Sequence, residues 1–90
     1  MTTRQQQQQQ YRRRVILHAI RLLRRDGWVQ GINRRGEGRC ASQAVYEAHA
    51  ALAGSHSFLW RGNWEPRLVV FNDRPGRTLA EVCAHLRTLG

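Results

Sequence analysis

The residue type that gives this chain its chemistry is arginine, because all fifteen of its basic residues are arginine and none is lysine. Ten of them lie in residues 1–39, which hold two carboxylates, whereas residues 40–90 hold five arginines against four carboxylates. A guanidinium group is always charged and can bind a phosphate, or the edge of guanine, through two parallel hydrogen bonds. A GC-rich genome explains arginine in place of lysine but not its concentration at one end. The pattern therefore predicts a surface for a polyanion.

The arginines of the first third fall largely on one face of a helix. Arg14, Arg21 and Arg25 recur at the helical repeat on a ridge that also carries His18 and has no carboxylate for ion pairs. A solvated helix face is the alternative, but the uncompensated repulsion favours an anionic partner. The residues predicted to bind nucleic acid are Arg12, Arg13, Arg14, Arg21, Arg24, Arg25, Arg34, Arg35 and Arg39. Phosphate contacts carry no sequence information, so we expect non-specific binding, of RNA or of DNA.

A second hypothesis is docking on another protein, since tryptophan and arginine dominate the energetics of protein interfaces. Trp60 and Trp64 bracket Arg61 in a stretch typical of a loop tip, and Arg77 has no evident local role. These four residues are the candidate partner contacts. The alternative function is accordingly an accessory protein that docks on and modulates an acidic host protein, such as a polymerase or a ribosomal component.

Catalysis finds little support in the sequence. Cys40 follows Arg39 at the predicted start of a helix, a position that favours the thiolate, but none of the four histidines stands in a recognised signature beside it. Burial at the helix start is the more common role of such a cysteine, and Cys83 falls on an apolar helix face. The spacing of zinc ligands is absent. We expect no catalytic residue, no metal site, no cofactor and no enzymatic activity.

Apolar periodicity predicts the elements that position these residues. They are a helix over 11–26, a basic glycine-punctuated loop over 33–39, a helix over 40–53, a strand over 68–71, a turn over 72–76 and a helix over 79–89. Thr78 and Glu81 form a capping box for the last helix. We expect a small single α+β domain of three helices with a short strand or hairpin.

The domain is predicted to occupy residues 11–90. Residues 1–10 are a polar, glutamine-rich tail that either stays outside the fold or extends the first helix. The N-terminus has no signal-peptide pattern, and no apolar run is long enough to cross a bilayer. Two cysteines make no disulfide framework. These features predict a cytoplasmic protein that does not bind membranes, and they leave its oligomeric state open.

Three clusters of residues carry a resemblance to a known family. They are Gly27-Trp28 with Gln30-Gly31; Gly38 with Cys40-Ala41 and Ala44; and Asn72-Asp73 with Pro75-Gly76-Arg77-Thr78 and Glu81-Val82. Over residues 12–89 the chain resembles a small uncharacterised domain family of actinobacteria and their phages. Val29 stands where members often carry a cysteine, and Ser42-Gln43 where they often have Leu-Gly. The resemblance implies a compact α+β domain from an actinobacterial or phage source, and it transfers no activity.

Overall fold

The computed structural model describes residues 3–53 and 65–89. Within these ranges the chain forms four helices and one antiparallel two-stranded hairpin. They are α1 (Thr3–Asp26), β1 (Arg34–Arg35), β2 (Gly38–Arg39), α2 (Ala41–Ala53), α3 (Glu65–Asp73) and α4 (Leu79–Leu89). The small α+β domain with a hairpin agrees with the sequence-based expectation of the fold class. The hairpin lies in the segment predicted as a loop, residues 33–39, and the prediction of three helices is wrong because a fourth, α3, is present.

The first helix is longer than its apolar stripe. It starts at Thr3, so the glutamine run Gln5–Gln10 is helical, as the fair helix propensity of glutamine allows. It ends before Gly27, which has a φ of 108°, a value that glycine adopts far more readily than other residues. The Gly27 amide donates to the Leu23 carbonyl over 3.0 Å. The periodic residues of α1 are buried, namely Val15, Ile16, Ala19, Ile20, Leu22 and Leu23, together with Tyr11.

The core lies where α1 packs against α2 and α4. Ala41, Ala44 and Ala48 of α2 are completely buried. Their small side chains let the α1 and α2 backbones approach closely, and Val45 is buried in the same core cluster. The hydroxyl of Tyr11 lies 2.7 Å from Nδ1 of His49 and further ties α1 to α2.

The segment predicted as a strand is helical. Leu68–Phe71 lies inside α3, and this prediction rested on four consecutive apolar residues with two adjacent valines. The burial pattern explains the error: Leu68 and Asn72 are buried one helical turn apart, whereas Val70 is 73% exposed. Pro66, in the first turn, suits a helix start.

The hairpin sits against the end of α1. Arg34 pairs with Arg39, and Arg35 with Gly38. Arg39 also forms a parallel bridge to Trp28. Gly38 suits this close approach, because a Cβ there would lie 3.0 Å from a methyl of Val29 and 3.3 Å from the Arg35 carbonyl, so these neighbours would have to shift.

The last helix begins as predicted. The Thr78 amide donates to Oε1 of Glu81 over 2.9 Å, and the Glu81 amide donates to the Thr78 hydroxyl over 3.2 Å, which completes the capping box. Val82, Cys83 and Leu86 are its buried residues. Across residues 3–53 and 65–89, none of the helices combines the length and the apolar character that crossing a bilayer requires.

Candidate polyanion-binding surface

The face of α1 opposite the core is lined with exposed arginines. Arg14, Arg21 and Arg25 are exposed, as their helical spacing predicts, while His18 beside them is partly buried. Arg12, Arg13 and Arg24 are exposed as well. From Arg14 to Arg25 the face extends for roughly 16 Å along the helix axis. It is thus long enough to contact several phosphates of one nucleic-acid strand.

Most of these arginines lack a carboxylate partner. Among the described residues, Arg13, Arg14, Arg21 and Arg24 take part in no ion pair. Arg25 does: its Nε and NH2 donate to the two oxygens of Asp26 over 2.8 and 2.9 Å. The hydrogen bonds from Arg25, and then those from Arg39, hold the pKa of Asp26 well below its usual range. Positive charge therefore exceeds negative charge on this face.

Arg39 does not belong to the exposed surface, which corrects its place in the predicted binding set. It is only 7% exposed. Its NH1 donates to Asp26 over 2.7 Å and to the carbonyl of Glu37 over 3.2 Å, and its Nε donates to Glu47 over 3.0 Å. Burial alone would lower the pKa of Arg39, but the bonds to the two carboxylates outweigh it and raise that pKa. Arg39 is a structural cation, and its burial keeps it from the phosphate-binding surface.

The other two arginines of the hairpin remain at the surface. Arg34 is half-exposed, and its Nε lies 3.7 Å from Oε2 of Glu47. Arg35 is exposed and forms no ion pair within the described ranges. Burial raises the pKa of Glu47, but the hydrogen bonds from Gln43 and Arg39 lower it by more than burial raises it. The pKa of Glu47 is therefore lowered overall. Arg25, Asp26, Arg39, Glu47 and Arg34 thus form one chain of alternating charges.

Asn72 connects three distant parts of the chain. Its side-chain oxygen accepts from Nε1 of Trp28 over 2.6 Å and from the amide of Ala41 over 2.9 Å. Its Nδ2 donates to the carbonyl of Val29 over 3.1 Å. The sequence had assigned Asn72 to a local turn, and this assignment missed its main role, since these bonds are tertiary. Asn72 also satisfies one of the amides left unpaired at the start of α2.

The same junction gathers all three clusters that carry the family resemblance. Gln30 donates through Nε2 to the carbonyls of Asn72 and Arg74 over 2.9 and 3.0 Å, and the amide of Gly31 donates to Asp73 over 2.9 Å. With Ala41 bound to Asn72, the segments after α1, before α2 and after α3 meet in space. Polar groups of the clusters therefore form a hydrogen-bonded junction that holds these three segments together.

The prediction that Arg77 lacks a local role is wrong. Its Nε donates to the Phe71 carbonyl over 3.0 Å, and its guanidinium carbon lies 3.6 Å from the centroid of the Phe71 ring. Its NH1 also lies 3.4 Å from Glu81. The ring of His85 stacks on Phe71 at 4.0 Å, so the phenyl ring is held between an arginine and a histidine. Arg77 joins the end of α3 to the start of α4.

Sequence reasoning missed one arginine near the α1 face. Arg87, in the last turn of α4, lines a groove together with Leu17, Ile20, Arg21, Arg24 and Arg25 of α1. Only the packing of α4 against α1 brings Arg87 there, and no local pattern marks it. The groove combines four guanidinium groups with an apolar floor.

Cys40 is buried at the start of α2, as the sequence predicts. It is 4% exposed, and its sulfur accepts a hydrogen bond from the Gln43 amide over 3.3 Å at the first turn of α2. Cys83 is buried in the core. Neither thiol is accessible at a cleft.

A model for a family of unknown function, DUF6197, matches residues 8–89. The chain belongs to DUF6197. No curated protein and no solved structure matches it. The match includes the three clusters that meet at Asn72 and the arginine-bearing part of α1.

Within residues 3–53 and 65–89, the feature of the DUF6197 domain with evident chemistry is the exposed arginine surface of α1 with Arg87. In the described ranges, no three histidine, cysteine or acidic side chains lie close enough together to hold a metal ion. Trp60, Arg61 and Trp64, the other candidate partner contacts, lie outside the described residues. What the arrangement can do is bind anions through charge-assisted hydrogen bonds from exposed guanidinium groups.

Proposed function

We propose that this DUF6197 domain is a small cytoplasmic accessory protein that binds nucleic acid through phosphate contacts, without enzymatic activity and without a cofactor. The binding surface is the exposed face of α1, with the hairpin arginines Arg34 and Arg35 at its edge. Because the contacts are to phosphates, the affinity depends little on base sequence. The narrower resemblance, with its three motifs and an actinobacterial or phage source, is part of this proposal.

One observation carries the proposal: Arg13, Arg14, Arg21 and Arg24 are exposed side by side on α1 and form no ion pair among the described residues. Arginines that repel one another make a helix less stable, so internal stability does not account for their arrangement. A polyanion supplies the missing negative charge. Guanidinium groups also match the geometry of phosphate oxygens better than point charges do.

The test is the affinity for fluorescently labelled RNA and DNA across a salt series. For the unmodified protein, the logarithm of the affinity should fall linearly with the logarithm of the salt concentration, since each neutralised phosphate releases counterions. The double variant Arg14→Gln/Arg21→Gln should bind at least about tenfold more weakly near 0.1 M salt, and its slope should be smaller by about 2.

The matched control is Arg67→Gln/Arg74→Gln. It removes the same charge from exposed residues of α3 and of the turn that follows. Its affinity and slope should stay close to those of the unmodified protein. Equal losses in both variants would indicate a general effect of net charge and would refute a binding face on α1. Binding that hardly changes between 50 and 200 mM salt would refute the phosphate contacts themselves.

A further inference from the structure

The groove between α1 and α4 contains more than charge. Its rim consists of Arg21, Arg24 and Arg25 from α1 and Arg87 from α4, and its floor is formed by Leu17 and Ile20. Its volume is about 480 Å³, within the usual range for small-ligand sites. Ile20 is almost completely buried, but Leu17 is 50% exposed. An aliphatic side chain thus lies open to solvent in the middle of the arginine surface.

An apolar floor is of no use to a ligand that offers phosphates alone. The backbone of a duplex presents charged oxygens and sugars and keeps the apolar faces of its bases stacked inside. An unpaired strand exposes those faces, and proteins that bind single strands commonly combine a cationic groove with an apolar or aromatic surface on which bases lie. Arginine contributes in both ways, since its planar group binds phosphate and also stacks on rings.

We infer that the groove binds unpaired nucleotides of a single strand, with a base against Leu17. The flanking phosphates lie on Arg21, Arg24 and Arg87, since Arg25 is already paired with Asp26. The inference rests on the proposed function and narrows its ligand to single-stranded nucleic acid. Complementary charge supports this occupant, because within residues 3–53 and 65–89 no carboxylate lines the groove, and Asp26 pairs with one of its four arginines, Arg25. The exposed arginines also continue along α1 to Arg14 and Arg13, as a polymer with repeating charge requires.

The experiment compares three ligands of equal length: an unpaired oligothymidylate, an abasic strand with the same number of phosphates, and a DNA duplex. The unmodified protein should bind oligothymidylate several-fold more tightly than the abasic strand at the same salt. Leu17→Ser should weaken binding of oligothymidylate about fivefold, because the half-buried contact with a base is lost. It should leave the salt slope and the affinities for the other two ligands unchanged, since no charge is altered.

Two further variants sharpen the test. Val70→Ser replaces another exposed aliphatic residue, on α3 outside this groove, and should change none of the three affinities. Leu17→Trp supplies an aromatic platform at the same place and should tighten binding of oligothymidylate alone. Since Leu17 is half-exposed, Leu17→Ser and Leu17→Trp both leave the core residues in place. Thermal melting curves of the two variants check this.

The outcomes separate the two proposals. Salt-dependent binding that is equally strong for all three ligands, or a Leu17→Ser loss that is the same for all three, would overturn the inference and leave the proposed function intact. A polyglutamate chain of matched charge that binds as tightly as oligothymidylate would also overturn it, because carboxylates would then suffice. Failure of every polynucleotide to bind at low salt would refute both proposals.

Discussion

Trp28 and Asn72 lie 44 residues apart in the chain and are joined by a 2.6 Å hydrogen bond from the indole nitrogen to the side-chain oxygen. Asn72 is completely buried, yet each of its two side-chain polar atoms makes more than one hydrogen bond. A buried amide of this kind orders its surroundings only as long as all its partners remain. It therefore links the end of α1, the start of α2 and the end of α3.

Replacement of this amide should be among the most destabilising single changes in the protein. Asn72→Ala leaves the Trp28 indole, the Ala41 amide and the Val29 carbonyl without their partner. An unsatisfied buried group costs roughly 1–3 kcal/mol. Because Trp28 and Val29 are only partly buried and water can reach them, the expected loss is about 2–4 kcal/mol of unfolding free energy. Urea denaturation followed by circular dichroism measures it.

The matched control is Asn33→Ala, which changes the same residue type at an exposed position, where the side-chain oxygen accepts a long, weak bond of 3.8 Å from the Cys40 thiol. Its effect should remain within about 0.5 kcal/mol, as is usual for surface substitutions. Comparable losses for the two variants would contradict the role of Asn72 as the junction of three segments.

Arg39 and Arg35 lie in the same hairpin but should respond in opposite ways to the same substitution. Arg39→Gln removes the bond that the buried guanidinium makes to each of Asp26 and Glu47. Asp26 keeps its bonds from Arg25 and Glu47 keeps its bond from Gln43, so the change should cost about 1–3 kcal/mol of unfolding free energy. Arg35→Gln, at an exposed site, should cost no more than about 0.5 kcal/mol and should weaken polynucleotide binding instead. Chemical denaturation and a binding titration on both proteins check this. Equal destabilisation by the two changes would argue against a structural role confined to Arg39.

The parts of the fold that the sequence could predict are those encoded locally. The buried stripes of α1, α2 and α4 recur at the helical period, and the Thr78–Glu81 capping box uses only neighbouring residues. The strand prediction for Leu68–Phe71 failed because four apolar residues in a row fit a strand or a helix equally well. What decides between them is that Leu68 and Asn72 face the interior together, and a polar Asn72 gives no apolar signal.

The residues of the candidate site also fall into two groups, those that the local sequence predicts and those that depend on tertiary packing. Exposure of Arg14 and Arg21 followed from periodicity alone. The burial of Arg39 and the arrival of Arg87 beside α1 depend on how distant elements pack. A weak signal for Arg39 does exist: it stands between Gly38 and Cys40, the kinds of small residue that suit a close approach of backbones. No comparable signal marks Arg87, which sits among residues typical of any helix end.

Stability should depend on pH in the acidic range. Bonds from Arg25 and Arg39 lower the pKa of Asp26, and bonds from Gln43 and Arg39 lower that of Glu47 despite its burial. In both cases the folded pKa lies below the unfolded value, so the unfolded chain binds more protons as the pH falls. The stabilisation is complete above the unfolded values of about 4 and is lost as the pH falls through the folded ones. The melting temperature should therefore decrease progressively below about pH 5.

Asp26→Asn tests the assignment of this pH dependence. The variant should be less stable than the unmodified protein at pH 7, and the difference should shrink as the pH falls, since protonation removes the same charge from Asp26. Glu37→Gln serves as the control, because the Glu37 side chain takes part in no ion pair among the described residues. Differential scanning calorimetry between pH 3 and pH 7 measures the melting temperatures of both proteins. If Asp26→Asn lowered the melting temperature by the same amount at every pH, the assignment would be contradicted.

Arg87 distinguishes a binding surface that spans two helices from one confined to α1. If the groove between α1 and α4 holds part of the strand, Arg87→Gln removes one phosphate contact although the substitution lies on α4. The affinity for an unpaired oligonucleotide should then fall roughly three- to tenfold near 0.1 M salt, and the salt slope should decrease by about 1. Arg67→Gln removes the same charge from α3 and should do neither. Because Arg87 and Arg67 are both exposed, the melting temperatures of the two variants should match that of the unmodified protein. Indistinguishable binding by the two variants would confine the surface to α1 and exclude Arg87 from it.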